Sequence, residues 1–109
     1  MPSEPRDPAA ELEEIDAVFR ALAHPSRRQA ILVLHFRGGV VNAGEIASRF
    51  SCSWPTMSRH LGVLREAGIV RVTKRSRERF YELDRDRLKD VVGGWLEWLD
   101  RPAGGEPAA

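Results

Sequence analysis

The chain contains a single cysteine among its 109 residues, which excludes a disulfide within the chain. Its three histidines are scattered, so together with one cysteine they do not supply the roughly four suitably spaced ligands of a tetrahedral zinc site. We therefore expect no bound metal ion and no other cofactor. Cys52 is expected to be a small packed hydrophobe, because a redox sensor would need an exposed thiol with a lowered pKa. A reducing cytoplasm is the expected location.

Long apolar runs are also missing. No stretch approaches the length needed to span a bilayer, and residues 1–10 lack the apolar core of a secretory signal. The residue groupings of common enzymes do not stand out either: there is no Ser–His–acid set, no paired carboxylates in an apolar setting and no phosphate-binding loop. We expect a protein that is not an enzyme and that does not act at a membrane.

Apolar residues make up 42% of the chain and charged residues 30%, which is typical of one small globular domain with one core. Three prolines in residues 1–10 predict a flexible N-terminal tail. The composition of residues 101–109 predicts a flexible C-terminal tail. A single domain is therefore expected at residues 11–100.

The net charge is only +1, but it is unevenly distributed. Residues 53–83 hold seven Lys or Arg and three Glu, a net charge of +4, whereas residues 1–52 carry −1 and residues 84–109 carry −2. Such a concentration creates a local positive field on a nearly neutral protein, and a field of this kind favours nucleic acid as a partner.

The stretch 51–68 predicts one helix with a defined start and end. Ser53 is the expected N-cap, Pro55 fits the first turn, and Gly68 supplies the left-handed residue that ends many helices. One face is apolar at helical spacing, and its members are Met57, Leu61 and Leu64. The opposite face is small, polar and basic, which suits the major groove of DNA. Judged alone, the stretch fits an ordinary amphipathic surface helix equally well.

A shorter helix is predicted just before this one. Asn42 followed by Glu45 is the capping-box pattern that begins a helix, and a three-residue turn at 51–53 then leads into the next helix. Two helices joined in this way make a helix-turn-helix. Val40 and Val41, before the capping box, predict a short strand.

After Gly68 the hydrophobic period changes from about 3.6 to about 2, which predicts two strands joined as a hairpin. Between the strands, residues 73–79 carry four cations and one acid. This tip either keeps a sheet edge soluble or contacts DNA. The neighbouring helix-turn-helix favours contact with the phosphate backbone or the minor groove.

Amphipathic helices are predicted at both ends of the domain. The last one begins with Asp84 or Asp86 as its cap and carries two tryptophans, more than a small core usually buries. We interpret the surplus as a homodimer interface shared with the first helix, although tryptophans that only cover the monomer core would give the same pattern. The residues expected at this interface are Leu12, Ile15, Phe19, Leu88, Val92, Trp95 and Leu99. The mid-helix pair 93–94, Gly–Gly, fits a kink or a close backbone contact across a dimer.

Between the first helix and the second, the sequence Ala23–His24–Pro25 predicts a break. Arg27 and Arg28 follow near the start of the second helix, the unfavourable end for positive charge. Solvated arginines, or arginines paired with the acids of the first helix, are favoured over arginines that contact a phosphate or a partner subunit.

The predicted order is helix, helix, short strand, helix-turn-helix, basic hairpin and helix, which is the order of a winged helix. The chain also resembles the ArsR/SmtB family of bacterial transcriptional repressors over most of its length. The matching segments are 19–28 (FRALAHPSRR), 44–47 (GEIA), 53–61 (SWPTMSRHL), 64–70 (LREAGIV) and 79–83 (RFYEL). The resemblance implies a mostly helical α+β winged helix-turn-helix with a two-stranded β-hairpin wing and terminal helices that form a dimer. It also implies a homodimer that binds a palindromic operator and represses transcription, often of its own operon.

The chain departs from this family in three ways. Metal-sensing members carry a cysteine pair in the helix before the turn, or His and carboxylate ligands on the last helix, whereas here the third helix lacks cysteine and the last lacks histidine. The chain therefore resembles the branch that does not bind metal. His24 stands where an aspartate cap is common, which implies a weaker cap. Gly62 stands where a lysine is common, which implies one fewer phosphate contact.

The helix 53–67 is expected in the major groove and the wing 73–79 on the backbone or minor groove of double-stranded DNA. Arg59 is the main candidate to read a base, because its fork matches two acceptors of guanine. The complete set of expected DNA-binding residues is Ser53, Trp54, Thr56, Ser58, Arg59, His60, Lys74, Arg75, Arg77 and Arg79.

Two members of this set have alternative interpretations. Trp54 either packs on a sugar or a thymine methyl, or folds back onto the core. His60 lies at the border of the buried face, where a core histidine bonded to the backbone is favoured over a DNA contact.

The leading functional hypothesis is a homodimeric repressor that binds a pseudo-palindromic operator, with autorepression as one form of its action. Operator, regulated genes and inducer do not follow from the sequence. The alternative is a protein-interaction module that keeps the fold but turns Trp95 and Trp98 towards a foreign partner.

Overall fold

The structure is a computed structural model that describes residues 8–104. In this range, five α-helices and three β-strands follow one another, with a short 3-10 turn at the end. Their bounds are α1 Pro8–Leu22, α2 Pro25–Phe36, β1 Val40–Asn42, α3 Ala43–Ser48, α4 Trp54–Glu66, β2 Val70–Arg75, β3 Glu78–Leu83, α5 Arg85–Glu97 and the turn Trp98–Asp100. Helix α1 begins three residues before the expected domain start at residue 11. The rest of the expected N-terminal tail, and residues 105–109 of the expected C-terminal tail, lie outside the described residues.

Side-chain caps define the starts of the helices. Asn42 Oδ1 accepts a hydrogen bond from the backbone N–H of Glu45 at 2.8 Å, as the capping-box pattern predicts. Asp84 caps α5 by accepting from Arg87 N at 3.0 Å. His24 also caps a helix, because its Nδ1 accepts from the N–H of Ser26 at 3.1 Å.

The three strands form one antiparallel sheet in the order β1-β3-β2. Strands β2 and β3 make the expected hairpin, with Val72 opposite Tyr81. Strand β1 adds a third strand on the other side of β3, with Val41 opposite the same tyrosine. The base of the wing is thereby attached to the residues that lead into α3.

One buried cluster holds the helices and the sheet together. Its fully buried large side chains come from helices α1 to α4, strands β1 and β2, and the residue before β2: Val18, Leu34, Val41, Ile46, Met57, Leu61, Leu64, Ile69 and Val70. The apolar face predicted for α4 is therefore buried, and its remaining face is free to point outward. Gly68, two residues after the end of α4, has a φ of +77°, the left-handed conformation that glycine adopts at low cost and that ends many helices.

The arginines at the start of α2 bind the end of α1. Arg27 donates from Nε to Ala21 O at 2.7 Å and from Nη2 to the carbonyl of Arg20 at 3.1 Å. Arg28 donates from Nη1 to the carbonyl of Leu22 at 2.8 Å. The expected pairing with the acids of α1 is therefore corrected. These cations satisfy carbonyls at a helix C-terminus, where positive charge is favoured.

Helix α5 packs beside α1 and has no buried residue along its length. The ring of Trp95 meets that of Phe19 edge to face, with centroids 5.7 Å apart. Within residues 8–104, no helix is long and apolar enough to cross a membrane.

Candidate nucleic-acid interface

The outward face of α4 presents the residues expected to read DNA. Arg59 is exposed, and Thr56 and Ser58 are half-buried, while Met57 between them is only 1% exposed. The buried side chain anchors the helix, so the polar side chains on the other face are held in a defined orientation. An outward arginine with small polar neighbours has the shape and the donors to reach base edges in a major groove.

Ser53 starts this helix. Its Oγ accepts from Thr56 N at 3.4 Å, and its hydroxyl donates to Thr56 Oγ1 at 3.0 Å. The expected N-cap is therefore confirmed. Pro55 has no N–H, and the N–H groups of Thr56 and Met57 are bonded to Ser53. The N–H of Trp54 is therefore the one of this turn that is left for a phosphate, for which a helix N-terminus is a favourable place.

Trp54 lies beside the wing and is not part of the buried cluster. Its side chain is 36% exposed and lines an open cleft of about 360 Å³. The other residues of this cleft are Asn42, Ala43, Gly44, Arg77, Glu78 and Arg79. Of the two interpretations of Trp54, the one in which its side chain folds back onto the core does not agree with the structure. The ring sits where the tip of α4, the start of α3 and the wing meet.

A second open cleft, of about 390 Å³, runs between the outer face of α4 and the wing. It is lined by Ser58, Leu61, Gly62, Arg65, Glu66, Val72, Arg79 and Tyr81. Arg79 borders both clefts, so the end of the wing and α4 form one continuous surface. No atom lies within 4 Å of the position that a Cβ would take at Gly62, so this part of the outer face of α4 is open space.

Arg65 is not among the DNA-binding residues expected from the sequence, yet it lies on the same surface as several of them. It is exposed on the second cleft, about two helical turns after Ser58 and thus on the same face. Extending the outward face of α4 by two turns would have identified it.

The wing carries four exposed cations close together: Lys74, Arg75, Arg77 and Arg79. Lys74 and Arg79 are paired directly across the two strands, which places like charges side by side. Such a pair is destabilising in water unless an anion lies near it. The turn of the hairpin includes Ser76 with φ of +55°, a conformation uncommon outside glycine.

His60 faces the corner between α1 and α2. Its ring centroid is 4.3 Å from that of His24, and its Nδ1 is 3.3 Å from Nη1 of Arg27. Burial lowers the pKa of His60, and electrostatic repulsion from His24, Arg27 and Arg59 lowers it further. The favoured core bond to the backbone is replaced by a bond to a side chain. A role in DNA contact stays a prediction.

The expected dimer residues form an exposed apolar face on α1 and α5. Leu12, Trp95 and Leu99 are 60%, 51% and 72% exposed, and Trp98 beside them is 43% exposed. The other members, Ile15, Phe19, Leu88 and Val92, are half-buried. Tryptophans that only cover a monomer core would not leave about half of their surface open.

No group of three or more metal-ligating side chains occurs among the described residues. Cys52 is half-buried and packs against the core cluster. Its position agrees with the expectation of a packed hydrophobe.

Helix-turn-helix α3–α4, followed by a basic hairpin, defines the class of protein: a winged helix-turn-helix. A family model described as a helix-turn-helix domain matches residues 17–73, about half of the chain. The chain is 31% identical over 84 residues to the transcriptional repressor SdpR of Bacillus subtilis, and the aligned region covers 77% of this chain and 91% of SdpR.

Solved structures are similar over most of the chain. An ArsR-like transcriptional regulator from Rhodococcus sp. RHA1 is 26% identical, with a TM-score of 0.70 over 84% of this chain and 89% of that one. A homodimeric winged helix-turn-helix DNA-binding domain from Mycobacterium bovis, a possible ArsR-family regulator, has the same fold at 20% identity, with a TM-score of 0.69 over the full length of both chains. The chain belongs to the ArsR family of winged-helix transcriptional regulators, a family of regulators and not of enzymes. The predicted family and fold class are thereby confirmed.

Proposed function

We propose that this protein is a homodimeric transcriptional repressor that binds a pseudo-palindromic operator in the cytoplasm. Residues 11–100 act as the DNA-binding and dimerisation unit. The observation that carries this proposal is the continuous surface made by the outer face of α4 and the four cations of the wing, joined at Arg79. Helix α4 enters the major groove, and the wing contacts the backbone or the minor groove.

Base reading is assigned to Arg59, with Thr56 and Ser58 beside it. Ser53 and the N–H of Trp54 at the start of α4 hold a phosphate. Trp54 contacts a sugar or a thymine methyl, because its half-open ring lies between the tip of α4 and the wing cations. The phosphate and minor-groove contacts are assigned to Lys74, Arg75, Arg77 and Arg79.

The homodimer is supported by the exposed apolar face of α1 and α5 and by the repressors and homodimeric domain to which the chain is similar. A two-fold dimer presents two copies of α4, so its operator is expected to have half-sites about 34–36 Å apart, one helical turn of DNA. Autorepression is the form of regulation that we propose first.

A footprint of the purified protein on the DNA upstream of its own gene tests the proposal. We expect two protected half-sites related by a two-fold axis. If the dimer makes about eight phosphate contacts, log K should fall with log salt at a slope near −7. Binding that is insensitive to salt, or equal on all sequences, would contradict the proposal.

The exposed Trp95 and Trp98 also fit a protein-interaction module with a foreign partner. Sedimentation analysis of the pure protein separates the two functions. A stable homodimer in which both tryptophans are protected from solvent quenching favours the repressor, whereas a monomer at micromolar concentration favours the interaction module.

A further inference from the structure

One arginine contacts both the end of α1 and the recognition helix α4. Arg27 donates from Nε to the carbonyl of Ala21 at 2.7 Å and from Nη2 to the carbonyl of Arg20 at 3.1 Å. Its third nitrogen, Nη1, lies 3.3 Å from Nδ1 of His60, which is on α4. The guanidinium group therefore joins a helix of the proposed dimer face to the helix of the proposed reading surface.

This contact is directional, whereas the core contacts of α4 are not. Met57, Leu61 and Leu64 hold α4 against the core by apolar burial, which resists separation but constrains rotation and sliding less strongly. The guanidinium is a planar fork whose donors point in fixed directions, so an acceptor on α4 must stay in one place to be bonded. His60 directly follows Arg59, and any rotation of α4 would move both.

Chemistry restricts the form of His60 that can take part. Arginine has donors only, so Nδ1 of His60 must be the acceptor and the ring must be neutral, with its proton on Nε2. Protonation at Nδ1 would remove the acceptor and place a second cation beside Arg27. The charged and titratable groups that face the ring are His24 from the corner, Arg27 from α2 and Arg59 from α4. Burial, reinforced by these groups, lowers the pKa of His60 and keeps the ring neutral near pH 7.

We propose that Arg27 is a positioning residue that acts through neutral His60 to fix the orientation of α4 relative to α1. In a dimer built on α1 and α5, that orientation sets the separation of the two recognition helices and hence the operator spacing that binds best. This inference rests on the proposed function, since spacing has meaning only for a dimer on two half-sites.

The test uses the full-length protein and synthetic duplexes that carry the footprinted half-sites. One duplex keeps the natural spacing, and a second has one base pair inserted between the half-sites. The readout is the spacing ratio, defined as the dissociation constant for the duplex with the insertion divided by the constant for the natural duplex. General electrostatic effects on affinity cancel in this ratio. Arg27→Lys keeps the charge but cannot bond carbonyls and imidazole together, and His60→Leu removes the acceptor. We expect the ratio to fall roughly three- to tenfold in each, the equivalent of about one hydrogen bond.

Two further variants separate positioning from folding. Arg28→Lys is the matched control. The side chain of Arg28 donates to Leu22 O at the end of α1, as Arg27 does to its carbonyls, but its described hydrogen bond does not involve α4. This variant should lower the thermal midpoint less than Arg27→Lys, because Arg28 makes one such bond and not three, and it should leave the spacing ratio unchanged. His60→Asn keeps an acceptor near the position of Nδ1 but cannot titrate, so it should restore most of the ratio that His60→Leu loses.

A pH series gives a readout that a purely structural role would not change. Because the pKa of His60 is lowered, the wild-type ratio should stay level near pH 7 and fall only below the ordinary pKa of a histidine, about 6.5, as His60 becomes protonated. The ratio of His60→Asn should stay level throughout. If Arg27→Lys fails to fold, the His60 variants carry the test alone.

Wild-type ratios in both Arg27→Lys and His60→Leu would overturn the inference, as would an equal loss in Arg28→Lys. Selective binding by the wild type without a spacing preference would overturn it and leave operator binding intact. Absence of any selective binding would contradict the proposed function itself.

Discussion

The molecule has two exposed surfaces that differ in kind. The wing and the outer face of α4 expose cations, among them Lys74, Arg77 and Arg59. The α1–α5 face instead exposes apolar side chains, with Trp95 at 51% and Leu99 at 72%.

Water solvates the first surface well and the second poorly. Water solvates exposed arginines and lysines, so the basic surface is suited to reversible, salt-dependent binding. Clustered exposed tryptophan and leucine favour being covered at all times. For the proposed function, the comparison predicts a dimer that persists in solution and a DNA complex that forms and dissociates with conditions.

The largest effect is expected from placing a charge on the apolar face. Trp95→Glu should weaken dimerisation by at least about 2 kcal/mol, as the loss of a central aromatic residue does at many interfaces. Sedimentation equilibrium measures the dimer constant, and operator affinity should fall with it because only one half-site is held. Leu32→Glu is the control, since Leu32 is 50% exposed on α2, outside this face. An equal loss in both variants would contradict the assignment.

A smaller effect is expected at the reading surface. Arg59→Ala should reduce operator affinity by about 1–3 kcal/mol and relax the preference at one base position. Titration against a set of single-base operator variants measures both. The control is Arg85→Ala, because Arg85 contacts His35 at 3.3 Å and lines neither cleft. Uniform weakening on every sequence would show that Arg59 contacts a phosphate and not a base.

A still smaller effect is expected at the wing. Lys74→Ala should weaken binding equally on all sequences and make the salt slope less steep by about 1. Affinities measured over a series of salt concentrations give the slope. Lys89→Ala, an exposed lysine on α5, should leave the slope at the wild-type value. A change in base preference in Lys74→Ala would contradict a backbone contact.

The smallest effect concerns a group on neither surface. A hydrogen bond from Arg37, helped by the charges of Arg37 and Arg49, lowers the pKa of Glu45. Its contribution to stability is therefore present above the ordinary pKa of a glutamate and is lost as the pH falls through the lowered value. Glu45→Gln should flatten the acid side of the stability profile measured by urea unfolding. Dimerisation and the salt slope should stay unchanged, and a shift in either would contradict this separation.

The parts of the fold that depend on local chemistry were predictable from sequence. Asn42 with Glu45, Ser53 and Gly68 each stabilise a helix end through atoms a few residues away, so the pattern identifies them directly. The apolar spacing in α4 likewise identified its buried face. The wing cations were found because charge stands out in composition.

Contacts between distant segments were not predictable in this way. Arg27 and Arg28 bond backbone carbonyls of α1, and carbonyls leave no trace in a sequence. The pairing of β1 with β3 joins residues 40–42 to 80–82, which no local period reveals. Trp54 had two interpretations because its surroundings come from α3 and the wing. His60 needed His24 and Arg27 to be brought beside it by the fold.

Helix α5 carries two adjacent glycines, Gly93 and Gly94, and no atom lies within 4 Å of a Cβ position at either. Each glycine disfavours helix by about 1 kcal/mol relative to alanine, since the unfolded chain gains conformational entropy. Helix α5 has no fully buried residue, and Leu88, Val91 and Val92 are only partly buried against the core, so packing within the subunit offsets that cost less than it does for α4. We expect ordering of α5 and pairing of subunits to be a single coupled transition. On dilution, amide hydrogens of α5 should then exchange faster, before those of α2 or α4.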